Sequence, residues 1–146
     1  MADQLEGGAI FERRGQWYMM AGTPCCLCDT GASAEMFMAP RPLGPWRPVG
    51  NVIAPVAPTT NISQCGFRHA AWPCTYEIRA QQFGVLGLGA DTRIYIGQRW
   101  GSAPLKCHDG QYWGVMDFAD SGEPLPLHHK GSETVTLPAE TPWDAV

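Results

Sequence analysis

The chain has 146 residues, 45% of them hydrophobic and 16% charged, and 10 Lys+Arg against 14 Asp+Glu leave a net charge of −4. That apolar fraction excludes wholesale disorder, no apolar run approaches the ~20 residues of a membrane-spanning helix, and without a basic patch nucleic acid is a poor partner. Seventeen glycines and 13 prolines, spread along the chain, break long helices and predict one all-β domain of short strands joined by turns. No basic stretch leads into an apolar one at the start, so no signal peptide is expected in this stretch; the compartment stays open, secretion included.

The strand signals fall into two sets. Residues 9–12, a turn at Arg14-Gly15 and residues 16–20 read as an aromatic-rich hairpin, followed by strands at 34–38 and 46–49 with a Pro-rich turn between them. Further on, residues 82–88, a turn at Gly89-Ala90-Asp91 and residues 93–96 repeat the hairpin, with strands at 112–118 and 123–127 after it. Trp17 and Tyr95 lie 78 residues apart, as do Phe37 and Val115. Two four-stranded antiparallel units are expected: a blade at 8–50, a long insertion at 51–79, a blade at 80–128 and a tail at 129–146 with an extra strand near 133–137. Repeated four-stranded units suit propeller blades, with an eight-stranded sandwich as the alternative. A propeller closes with ~4–8 blades, so two blades imply part of something larger.

Six cysteines stand at positions 25, 26, 28, 65, 74 and 107. Cys25, Cys26 and Cys28 are too crowded for a zinc knuckle, so no metal is expected. Cys65 and Cys74 bracket a short loop and suit a disulfide in an oxidising compartment; buried free thiols are the alternative for the set. Asn61-Ile62-Ser63 is a glycosylation acceptor pattern, meaningful in a secreted eukaryotic protein.

Several strings, in order, resemble the family 43 glycoside hydrolases. The stretch from Leu5 to Tyr18 resembles the segment in which an acidic residue precedes an aromatic hairpin, and Pro42-Leu43-Gly44-Pro45-Trp46 is similar to the family's turn of the same composition. Gln81-Gln82, Val85 and Ile94-Tyr95-Ile96-Gly97-Gln98-Arg99-Trp100 are similar to the galactan-cleaving, exo-β-1,3-galactanase-like branch. The resemblance runs from Leu5 to Leu127. It implies the C-terminal half of a five-bladed propeller, with no cofactor and with carbohydrate as partner. Glu6 falls on the family's general acid, while the usual base belongs to a blade without counterpart here. Gln98 replaces an acid of the motif and Gly8 a proline, which weakens the case for catalysis.

Glycoside hydrolysis needs a carboxyl group to protonate the leaving oxygen, and inverting enzymes need a second group to activate water. Glu6 is the candidate acid; the bland reading is a solvated charge near a chain terminus. Gln82 is the candidate for positioning water, preferred to Gln64 because it leads directly into a strand. An amide orients water through its carbonyl oxygen but accepts no full proton. Gln81, Arg99 and Trp100 complete the candidate binding set, a polar fork and an aromatic plate for a sugar. The alternative for Arg99 is a structural pair with Asp109. Trp17, Trp46 and Trp113 are expected between blades, and His128-His129 as a solvated pair.

Two functions follow: a glycosidase-like protein acting on galactose-containing polysaccharide, or a non-catalytic carbohydrate-binding or interaction module derived from that fold. Open blade faces also predict a homo-oligomer, or completion by missing N-terminal blades.

Overall fold

The computed structural model describes residues 6–22, 34–54, 56, 76–99 and 110–136. β1 (Glu6–Arg13), β2 (Gln16–Gly22), β3 (Ala34–Ala39) and β4 (Arg47–Asn51) form one antiparallel sheet in sequence order. β5 (Gln81–Leu88), β6 (Thr92–Gln98) and β7 (Gln111–Val115) form a second. No helix occurs among the described residues. The partial-propeller reading holds at this level, with β2 and β6 lying inside two separate sheets.

Local chemistry explains the hairpins. Arg14 and Gly15 both take positive φ, 53° and 77°, the turn whose twist matches two right-twisted strands. Along β2, Tyr18 and Met20 are buried while Trp17 and Met19 are half-buried, the two-residue period of a strand with one dominant core face. On β6 the fully buried aromatic is Tyr95. The two sheets stack by opposite faces, so Tyr95 looks into the shared core while Trp17, 78 residues earlier, looks away from it.

That core joins Phe11, Tyr18, Met20 and Met36 of the first sheet to Tyr95 and Tyr112 of the second, with Ile53, Ile78 and Leu127 from the connections. Phe11 stacks on Tyr18 at 5.0 Å, and Phe118 meets Tyr18 edge-on at 5.4 Å. Such pairs contribute about 0.5–1.5 kcal/mol beyond burial. The innermost strands, β1 and β5, lie against one another. At their turn ends the sheets are clamped: buried Arg93 donates to the carbonyls of Glu12 (3.1 Å), Gly89 (3.2 Å) and Thr92 (2.8 Å). Arg13 donates to the Asp91 carbonyl at 3.0 Å and covers the Phe118 ring at 4.4 Å.

The second blade departs from four strands. Residues 123–127 form two isolated bridges, Phe118 with Pro124 antiparallel and Ile53 with Leu127 parallel, rather than a strand. Pro124 and Pro126 have no N–H to give a ladder, so alternating apolar residues here do not produce one. The segment instead crosses to the first sheet. Tyr18 donates its hydroxyl to the Gly122 carbonyl at 2.7 Å, and Leu127 bonds Val52 and Ala54 at 2.7 and 3.0 Å. The extra strand expected near 133–137 is also absent over 133–136. There the Glu133 carboxylate accepts the Val115 N–H at 2.6 Å, which occupies that edge group of β7. All six cysteines, Asn61 and most of the 51–79 insertion lie outside the described residues.

Candidate functional site

The inner strands begin side by side, and the candidate residues gather at this end. Glu6 pairs with Gly22, and a bulge separates that pair from Ala9 with Met20. Within the bulge Gly7 has φ +60°, and a Cβ built on it would stand 2.9 Å from the Gln82 carbonyl oxygen and 3.2 Å from Gln82 Oε1. The chain therefore needs glycine at position 7 twice over, for its conformation and for the approach of Gln82. Glu6 is described by its backbone position, one residue from this contact.

Gln82 is 3% exposed, and neither its amide nitrogen nor its amide oxygen has a hydrogen-bond partner among the described residues. Each unsatisfied buried polar group costs ~1–3 kcal/mol, so such a residue is unusual unless something else fills its valences. Tyr95 adds a third unpaired atom, its hydroxyl. Gln82 pairs with Gly97, and a Cβ on Gly97 would meet the Tyr95 hydroxyl at 2.7 Å and Ala80 Cβ at 2.8 Å. Tyr95 thus leans over Gly97, the strand partner of Gln82. Burial, with Tyr112 adding to it, pushes the Tyr95 phenol well above its usual pKa, so the hydroxyl stays neutral. Sequence reading missed Tyr95; its signal was Gly97 two residues on, the same face of one strand with no side chain.

Gln81 stands opposite Gln98, and Gln98 opposite Gln111, a neutral row across the strand ends. Arg99 follows, its backbone N–H bonded to the Gly110 carbonyl at 2.9 Å. Trp100 and Asp109 lie outside the described residues. Arg99 lines a cleft of about 220 Å³ with Glu77, Ile78, Arg79, Tyr112 and His129. The histidines are exposed yet engaged. His128 Nδ1 lies 3.1 Å from the Glu77 carboxylate, which also accepts the His129 N–H at 3.1 Å, and the His129 ring lies 5.2 Å from that of Tyr112. Trp113, expected between blades, is 52% exposed on the outer face, because its row on β6 and β7 points away from the first sheet. No group of three or more metal-binding side chains occurs among the described residues.

No family model matches the chain, and no curated protein matches it. Solved structures do. A family 43 β-1,3-galactosidase with galactodeoxynojirimycin is 19% identical, with a TM-score of 0.64 over 90% of this chain and 32% of its own. The exo-β-1,3-galactanase of Phanerochaete chrysosporium, with galactose, is 24% identical with a TM-score of 0.59, covering 86% of this chain and 24% of its own. That of Clostridium thermocellum is 17% identical, with a TM-score of 0.56 over 84% of this chain and 23% of its own. The fold matches part of the propeller of these family 43 structures. The chain spans 32% and 24% of the first two of these proteins, so the likeness extends to the fold of two neighbouring sheets.

Proposed function

We propose that the chain is a family 43-like carbohydrate-acting unit whose ligand is galactose-containing polysaccharide. The observation that supports this most is Gln82: a buried amide with both ends unpaired, set against Gly7 and beside the backbone of Glu6. An open glycosidic site has to keep such groups unsatisfied until water and sugar hydroxyls arrive.

In this reading Glu6 is the general acid and gives its proton to the glycosidic oxygen as the bond to the anomeric carbon breaks. Water adds to that carbon, oriented by a hydrogen bond to the Gln82 carbonyl oxygen, and releases its surplus proton to solvent, from which the Glu6 carboxylate is reprotonated. Gln81, Arg99 and Trp100 hold sugar hydroxyls and a sugar face. The amide takes no full proton, and Gln98 leaves the strand-end row without a carboxylate, so acid assistance alone supplies ~10²–10⁴-fold. Slow or absent turnover by this chain alone follows. That neutral row favours the second reading, a non-catalytic carbohydrate-binding module on the same site.

Calorimetry with β-1,3-galactotriose tests the site, with product release followed over long incubation. Binding that disappears in Gln82→Ala is the expected result, and turnover abolished by Glu6→Gln would select the enzyme over the binding module. Absence of binding by the wild-type chain would overturn both. Association with a second copy belongs to the same reading, since Ile10 on the first sheet (57% exposed) and Trp113 on the second leave apolar surface on outward faces.

A further inference from the structure

The outer edges of the two sheets are defended differently. The inner strands β1 and β5 lie against one another, which leaves β4 and β7 as the outer strands. β4 carries Arg47 and Pro48, a charge and a residue without an N–H, and both oppose the addition of a further strand. β7, Gln-Tyr-Trp-Gly-Val, carries neither a charge nor a proline. At its two ends the Gly110 carbonyl accepts from Arg99 and the Met116 N–H donates to Arg93, so the even-numbered residues face β6. By alternation Gln111, Trp113 and Val115 turn their backbone groups to the other side. The Val115 N–H is taken there by the Glu133 carboxylate at 2.6 Å, which Lys130 Nζ holds in turn. Among the described residues nothing bonds the backbone of Gln111 or Trp113 on that side.

We propose that the free edge of β7 is the surface on which two copies of this chain pair, strand against antiparallel strand, and that Glu133 guards one end of it. The inference gives the self-association named above its surface, and it stands apart from the Gln82 site. A two-fold axis at Trp113 sets that residue opposite its own copy and Gln111 opposite Val115. In this register every edge donor meets an edge acceptor, and the contact is the same for both copies. No like charges meet across it, because β7 has none. The indole N–H of Trp113 donates to Gln111 Oε1 at 3.0 Å, which fixes the exposed ring on the outer face. Pairing brings two such rings side by side as two three-stranded sheets become one, and cross-strand aromatic pairs stabilise a sheet. Glu133 occupies one donor per copy, so the pair forms with those two bonds unmade.

Light scattering and amide hydrogen exchange over a concentration series test this on the full chain. Exchange at the Gln111 and Trp113 amides should slow as the pair forms. Glu133→Ala, which frees the Val115 N–H in each copy, should tighten the pair about tenfold, whereas Glu133→Gln, which keeps an acceptor there, should not. Gln111→Pro removes an edge donor at the first residue of the strand, where no bond to β6 is lost, and should loosen the pair by a similar factor. Thermal melts confirm that each variant is folded. Mixed samples of differently labelled copies should show a nuclear Overhauser contact from Tyr112 Hα to Gly114 Hα across the pair. Gln82→Ala should leave the pair intact, so this inference and the carbohydrate reading fail separately. Association that leaves exchange at Gln111 and Trp113 unchanged would place the contact on a sheet face and overturn the proposal. So would a monomer at every concentration in both the wild-type chain and Glu133→Ala, or contacts showing that Thr134–Thr136 of the same chain occupies the edge.

Discussion

Gly7 sits so close to Gln82 that the glycine's missing side chain is part of the site: a Cβ there would stand 2.9 Å from the Gln82 carbonyl oxygen. The approach links the inner strands at the end where the candidate residues gather. It makes position 7 a sensor for the geometry of the site.

Gly7→Ala is therefore expected to destabilise the chain by about 1–3 kcal/mol, from left-handed strain plus displacement of Gln82. Gly8→Ala is the control, because a Cβ there meets nothing within 4 Å. Urea denaturation of both variants checks the contrast. Equal stabilities would show that the bulge relaxes freely.

The unpaired groups predict an inverted pattern of stability and function. Gln82→Met removes two unsatisfied polar atoms at nearly constant volume, so stability should hold or rise by about 1–2 kcal/mol while galactotriose binding is lost. Tyr95→Phe should likewise be neutral or stabilising. Tyr18→Phe, by contrast, removes a made bond to the Gly122 carbonyl and should cost about 1 kcal/mol. Thermal melts of the three variants rank them, and a strongly destabilised Tyr95→Phe would mean that its hydroxyl has a partner.

A pH dependence attaches to Glu133. Burial works against its charge, but the Lys130 ammonium and the Val115 N–H together outweigh burial and hold the carboxyl below the usual glutamate range. A carboxyl with a lowered folded-state pKa stabilises the fold above its unfolded pKa and loses that contribution as pH falls through the folded value. Glu133→Gln should therefore flatten part of the acid limb of a stability–pH profile and change little under strongly acid conditions. An unchanged acid limb would remove this carboxyl from the account.

Light scattering addresses the outward faces. A self-complementary pair should scatter as twice 15.9 kDa and dissociate on dilution, and Trp113→Lys should shift it toward the single chain. A monomer at every concentration would show that these faces need no second copy.

The parts of the fold legible in the sequence are those set by neighbours along the chain. Arg14-Gly15 announces its turn, and the alternation about Tyr18 announces β2, because both follow from backbone geometry within a few residues. Positions 123–127 misled because alternating leucines imitate a strand, and the prolines between them decide the matter only when their missing N–H groups are counted. Gln82 was legible as a candidate from its place before a strand, but its close approach to Gly7, 75 residues away, was not. The Glu77–His128 contact is hidden for the same reason, spanning 51 residues. Tyr95 is a core aromatic by every local sign, and its unpaired hydroxyl emerges only once the sheet is formed.

The crossing of residues 117–127 has a consequence for the order in which the molecule assembles. Tyr18 waits for a carbonyl 104 residues later, and Ile53 for Leu127. The first sheet's hairpins close over short loops, but their buried face is not sealed until the chain beyond β7 has been made and has returned. Contacts of such sequence separation delay the rate-limiting step, because loop closure precedes any gain from burial. On a ribosome, the first four strands should stay sensitive to proteases until Leu127 has left the exit tunnel, and then become protected together with the second sheet.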